Sequence, residues 1–142
     1  MNTELYQEVL LQHSRRPRNF GPLEGATHRA EGLNALCGDE VTVELALDGE
    51  TVRAAHFSGS ACAICTASAS ILTCEVSGQN VATARALAEG FRKLAVSGEA
   101  TEEISQRPRL EVMGSVHKFP QRVKCATLPW ETLLGALDHP VG

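Results

Sequence analysis

Three cysteines and one aspartate carry the most chemistry in this chain: Cys37 and Asp39 in Leu36-Cys37-Gly38-Asp39, Cys62 in Ala61-Cys62-Ala63-Ile64-Cys65, and Cys125 in Val123-Lys124-Cys125-Ala126. Thiolates with a single carboxylate suit a borderline ion such as Zn²⁺ or the iron of a cluster. The oxygen ligand breaks the all-sulfur pattern of closed structural zinc sites, so a set of this kind can open at one corner. The spacing is wide, and a folded core has to gather the four side chains.

The 142 residues, 43% of them hydrophobic, are enough for one domain with its own core, taken as residues 1–142. A formal charge of -4 gives no broad basic face, which speaks against a nucleic-acid partner. The one basic run, Arg15-Arg16-Pro17-Arg18, reads as a solvated loop. The N-terminus opens directly into an amphipathic pattern rather than a signal peptide, and no apolar stretch approaches the ~20 residues of a membrane span. The expectation is a soluble cytoplasmic protein without a membrane partner. Five cysteines in a reducing compartment favour metal or thiol chemistry over a disulfide framework.

The elements that must position the four residues follow from periodicity. Thr3 is expected to cap a helix with Leu5, Tyr6, Val9 and Leu10 on one face, ending near Ser14. Residues 19–25 read as loop and Thr27 to Leu33 as a short strand. Val41, Val43, Leu45 and Leu47 alternate with polar positions, Asp48-Gly49 is a hairpin turn, and Thr51 to Ser58 returns antiparallel. That hairpin puts Cys37 and Cys62 at the same end. Ala63 to Val76 reads as a buried helix of small residues with Gly78 just past its end, and its dipole is expected to lower the pKa of Cys62 and Cys65. Asn80 caps a further helix with Val81, Ala84, Leu87, Ala88, Phe91 and Leu94 in one stripe, stopping at Gly98. Glu99 to Arg109 reads as a flexible connection. A last helix is expected from Pro120 to Leu137, with Pro129 inside it.

Four motifs stand in one register: Pro17-Arg18-Asn19; Cys37-Gly38-Asp39; Gly59-x-x-Cys62-Ala63-Ile64 followed by Ala67-Ser68-Ala69-Ser70; and Phe119-Pro120-x-Arg122-x-Lys124-Cys125-Ala126-x-Leu128-x-Trp130. Together they resemble the IscU/NifU-like iron-sulfur scaffold family over most of the chain. Lys124, where the IscU branch has histidine, and the long segment from Gly98 to Phe119 resemble its SufU-type branch. The resemblance implies an α+β fold, a small antiparallel sheet packed with helices, with the site at one end. It implies Cys37, Asp39, Cys62 and Cys125 as metal ligands, Cys37 as the sulfur acceptor, and Arg122 and Lys124 as supporting or docking residues. The implied partners are a PLP-dependent cysteine desulfurase, which hands over persulfide sulfur, and downstream iron-sulfur acceptor proteins. The implied cofactor is Zn²⁺, with a transient [2Fe-2S] or [4Fe-4S] cluster as the alternative occupant, so scaffold and sulfur-transfer roles both stand.

Two positions depart from the family pattern. Cys65 stands where serine is usual and Ala61 where glycine is usual. Cys65 is a small buried residue on one reading; on others it is a spare ligand, a second sulfur acceptor or a redox partner of Cys62. Cys74 reads as core packing. His13, His28, His56, His117 and His139 show no ligand spacing, although His117 lies near Cys125 in sequence. Phe119 and Trp130 read as core or site-wall residues. Two alternatives from other classes are a thiol oxidoreductase using Cys62-x-x-Cys65, which would need a preceding βαβ unit, and a structural zinc-binding interaction module, against which Asp39 speaks.

Overall fold

A sheet of three antiparallel strands, β1 (His28–Asn34), β2 (Asp39–Asp48) and β3 (Thr51–Ser60), stands in the order β1-β2-β3 in the computed structural model, which describes residues 3–141. The alternation in β2 sends Val41, Val43 and Leu45 into the core while Glu40 stays in solvent. Gly49 takes φ 60 at the first position of the two-residue turn joining β2 to β3, the arrangement of a twist-matched hairpin turn. β3 runs two residues beyond the expected Ser58. The sheet is antiparallel throughout, so the βαβ unit required by a thioredoxin-like pair is not found in it among the described residues.

Helix α1 (Thr3–Arg15) begins at Thr3 itself, so Thr3 does not precede the helix as its cap; its side chain lies outside the described residues. Tyr6 and His13 are the buried positions of α1, whereas Leu5 is 41% exposed, against the expected stripe. The chain then turns at Asn19, whose φ of 56 is in the left-handed region. The Asn19 amide donates to Thr73 Oγ1 at 3.0 Å and the Arg18 N–H to Ser70 Oγ at 2.8 Å, which ties the Pro17-Arg18-Asn19 motif to helix α2 (Ala63–Val76). The Ser70 oxygen, having accepted that bond, is 2.7 Å from the buried His13 Nδ1. Arg15, Arg16 and Arg18 are exposed, as expected of a solvated loop.

Small side chains let α2 lie close to its neighbours. Ser68 Oγ donates to the Ala126 carbonyl at 2.6 Å and accepts the Trp130 indole N–H at 3.2 Å, linking α2 to helix α6 (Val123–Leu137). Trp130 is fully buried and stacks on Phe91 of helix α3 (Val81–Ser97). Asn80 caps α3 by accepting the Thr83 N–H at 2.7 Å, and Gly98 ends it with φ 80. Cys74 is half-buried rather than part of the core.

The segment expected as flexible is helical in two short pieces, α4 (Glu102–Ser105) and α5 (Pro108–Val112). Two long-range anchors explain the difference: Ile104 and Leu110 are buried, and Arg107 and Arg109 both pair with the buried carboxylate of Glu75 on α2, at 2.9 and 2.5 Å. Two 3₁₀ turns, Met113–Lys118 and Pro120–Arg122, lead into α6, which therefore starts at Val123, three residues later than expected, and continues through Pro129. α6 crosses β1 closely; a side chain at Gly32 would overlap Thr132 Oγ1. Among the described residues no helix is long and apolar enough to cross a membrane.

Candidate metal centre

One end of the sheet collects the chemistry. β1 stops at Asn34, the Cys37 N–H folds back onto the Asn34 carbonyl at 3.3 Å, Gly38 takes φ 71, and β2 starts at Asp39 opposite Asn34. This tight loop leaves Cys37 exposed while Asp39 is fully buried. Beside it β3 ends at Ser60, paired with Glu40, and two residues later Cys62 is the N-cap of α2. The Cys62 N–H donates to Asp39 Oδ1 at 2.8 Å, so the carboxylate fixes the start of the helix. Cys125 enters from α6, fully buried, with its Sγ 3.4 Å from Cys37 Sγ and 3.9 Å from the Asn34 amide nitrogen.

The donor atoms of Cys37, Asp39 and Cys125 all lie within 4.8 Å of one another. Cys62, the fourth expected residue, stands outside that tight set; its Sγ accepts the Cys65 N–H at 3.5 Å. It nevertheless lies near enough to Cys125 to raise its pKa, behind the larger effects of burial and of hydrogen bonds with Cys37 and Asp39. Asp39 Oδ2 is buried with no hydrogen-bond partner, among the described residues. Two thiols converging on an unpartnered buried carboxylate oxygen form a donor set that a divalent cation fits.

The expectation for Cys65 fails on electrostatics. The helix dipole was expected to lower its pKa, yet burial pushes the thiol well up, and the negative charges of Asp39, Cys62 and Cys37 push the same way. Cys65 is fully buried in a small apolar cluster with Val41, Phe57, Ala69, Cys125 and Leu128, which floors the site. As a buried residue replacing serine it matches the simplest reading. His117 accepts from or donates to nothing in the site: its Nδ1 is 2.9 Å from the Gly114 carbonyl and its ring packs on Gly98 at the end of α3.

Arg122 and Lys124 are exposed on either side of Val123, just before Cys125. Phe119, 46% exposed, stacks on Tyr6 with ring centroids 6.5 Å apart, so it is a rim residue rather than core. Burial raises the Tyr6 pKa, Cys62 adds to the rise and Arg122 opposes it, which places the phenol close to the site. Its hydroxyl is buried with no partner, among the described residues. Sequence reasoning missed Tyr6 and Asn34 as neighbours of the centre. The position of Asn34 opposite Asp39 in the ladder was the available signal.

Residues 5–126 match the family model of the NifU-like N terminal domain. The chain is 35% identical over 129 residues to the zinc-dependent sulfurtransferase SufU of Bacillus subtilis, covering 91% of this chain and 86% of that protein. It is equally 35% identical, over 135 residues, to the iron-sulfur cluster assembly scaffold protein IscU of Streptococcus pyogenes serotype M1, covering 95% of this chain and 84% of the relative. The crystal structure of FiSufU from Fervidobacterium islandicum AW-1 superposes with a TM-score of 0.85 at 31% identity, covering 96% of this chain and 99% of that one. A Cys37-Gly38-Asp39 loop, an N-cap Cys62 and a Cys125 on the last helix, gathered at one end of a three-stranded sheet, thus belong to a chain of the NifU-like N-terminal domain family, which includes IscU and SufU.

Proposed function

We propose that this chain is an iron-sulfur cluster assembly protein that takes persulfide sulfur from a PLP-dependent cysteine desulfurase at Cys37, with Cys37, Asp39, Cys62 and Cys125 as a Zn²⁺-binding set. The observation that carries this reading is the buried Asp39, whose second carboxylate oxygen lacks a partner where two thiols converge. A buried, unpaired carboxylate oxygen is costly unless a cation meets it. The names of two relatives, a zinc-dependent sulfurtransferase and a cluster assembly scaffold, support the same role. We take residues 1–142 as one such domain, acting in the cytoplasm.

A zinc ion bound there supplies positive charge that keeps its sulfur ligands as thiolates at neutral pH. The chain's own residues do the rest. Asp39 holds the Cys62 N–H and so fixes the start of α2. The Asn34 amide faces Cys125, while Cys37, on its short loop, is the exposed sulfur that a partner can reach. Its thiolate attacks the outer sulfur of the desulfurase persulfide; a new S–S bond forms at Cys37 and the desulfurase cysteine leaves as thiolate. Leu36, 88% exposed, and Phe119 give the rim large apolar side chains for a docked partner to cover, with Arg122 and Lys124 as docking cations. A [2Fe-2S] or [4Fe-4S] cluster is cargo on the same four side chains, passed on to acceptor proteins.

Alanine release from cysteine by the desulfurase measures this directly. Turnover should rise when the protein is added, and Cys37→Ala should abolish the rise while leaving docking intact. Equal stimulation by Cys37→Ala overturns the assignment of Cys37.

A further inference from the structure

We propose that Cys62 and Cys65 form a dithiol that reduces a persulfide held on Cys37 and frees its outer sulfur as sulfide, a step that rests on the acceptor reading and goes beyond it. Cys62 is set apart from the tight group of Cys37, Asp39 and Cys125, and its sulfur faces the first turn of α2, where it accepts the Cys65 N–H at 3.5 Å. The two cysteines differ in access: Cys62 is half-buried at the N-cap, and Cys65 is fully buried one turn below it. An accessible thiol at a helix start with a second, covered thiol three residues on is the arrangement of an attacking and a resolving cysteine. Cys37, Cys62 and Asp39 all bear electrostatically on Cys65, so the three thiols are neighbours around one point.

Chemistry supplies the reason for such a pair. A persulfide delivers sulfur at oxidation state zero, whereas cluster sulfur is sulfide, so two electrons have to enter for each atom. In metal-free protein the Cys62 thiolate attacks the inner sulfur of the Cys37 persulfide. The S–S bond breaks, hydrosulfide leaves with the electron pair and takes up the proton that Cys62 gave up, and a Cys37–Cys62 disulfide forms. The Cys65 thiolate then attacks Cys62 Sγ, the proton from Cys65 passes to the released Cys37 thiolate, and the Cys62–Cys65 disulfide remains. One persulfide and two thiols become one thiol, one hydrogen sulfide and one disulfide. The sulfane sulfur gains the two electrons that the dithiol loses.

The test uses the full chain, stripped of metal by a chelator, loaded with inorganic polysulfide, desalted and held without reductant. Sulfide is measured by methylene blue formation and the cysteines are mapped by mass spectrometry. The expected result is sulfide released in equal amount to a Cys62–Cys65 disulfide. Cys65→Ser, a near-isosteric change whose fold is checked by zinc uptake, should retain persulfide on Cys37 and release sulfide at least tenfold more slowly. Release from Cys65→Ser at the parent rate, or closure between Cys37 and Cys125 in its place, overturns the proposal. A parent protein that keeps its Cys37 persulfide without releasing sulfide overturns the dithiol and leaves the acceptor reading standing. Release with Cys62–Cys65 closure that persists in Cys37→Ala instead overturns Cys37 as the sulfur's position in both.

Discussion

Replacing Asp39 with alanine separates two jobs that the carboxylate does at the end of β2. In metal-free protein the change removes a charge-assisted hydrogen bond to the Cys62 N–H, worth about 1.5–3 kcal/mol, and also removes a buried carboxylate oxygen whose missing partner costs about 1–3 kcal/mol. The two terms oppose each other, so the net change is about 1 kcal/mol, or roughly 2–4 °C in melting midpoint for a chain of this size. With zinc bound, the same change removes one of four donors. Partners that merely orient a ligand are worth about 10–100-fold in affinity, so a donor itself is worth at least ~100-fold, about 2.7 kcal/mol of metal-linked stability. The rise in midpoint on adding zinc should therefore shrink by about 5–10 °C in Asp39→Ala, while the chelator-treated proteins stay close together. Thermal melts in chelator and in buffered zinc measure both quantities. A metal-free midpoint that drops while the zinc-induced rise stays at the parent value would refute the reasoning, because Asp39 would then serve only to hold the helix start.

Purified protein should carry about one Zn²⁺ with Zn–S distances near ~2.3 Å by X-ray absorption, and Cys37→Ser or Cys125→Ser should lose it; full occupancy in Cys62→Ser would mean that Cys65 has taken the place of Cys62. His13 has its pKa lowered to about 4 by burial first, then by Arg18 and Arg109 against the opposing Glu75, so its contribution is present above the ordinary value near 6.5 and lost as pH falls from there towards 4. That loss is on the order of 3 kcal/mol, and His13→Gln should flatten the slope of stability between those pH values; an unchanged slope removes His13 as the cause. Gly59 takes φ 131 with its missing side chain directed at the Glu40 carbonyl oxygen, so Gly59→Ala should cost several kcal/mol, roughly 3 or more, and disturb the strand end that leads to Cys62. Urea denaturation checks it, and a midpoint unchanged from the parent would show that the strand end yields freely.

Local chemistry was legible wherever neighbours in sequence decide the structure. Ala63–Val76, all small or apolar residues without glycine or proline, folds as a helix with the expected bounds, and the Asp48-Gly49 turn closes the expected hairpin. The hairpin in turn brings Cys37 and Cys62 to one end, which only needed the pleat and the turn. What distant residues decide was not legible. Residues 99–109 are polar with a proline, yet Glu75 on α2 supplies the carboxylate that orders them. Leu5 falls on the expected stripe but finds nothing large enough to cover it. For Cys65 the dipole argument was sound in sign, but full burial outweighs a partial charge at the helix end. Asn34 and Tyr6 reach the centre through the ladder and through α1, and no spacing rule in the chain marks either one.

Sulfur acceptance at Cys37 is the central claim, and its most direct measurement follows the sulfur atom. Zinc-loaded protein is incubated with a cysteine desulfurase and ³⁴S-labelled cysteine, trapped with an alkylating agent and mapped by mass spectrometry. The account expects the labelled persulfide on the Cys37 peptide, and none after Cys37→Ala. Labelled persulfide on Cys65, with Cys37→Ala still stimulating the desulfurase, would contradict it.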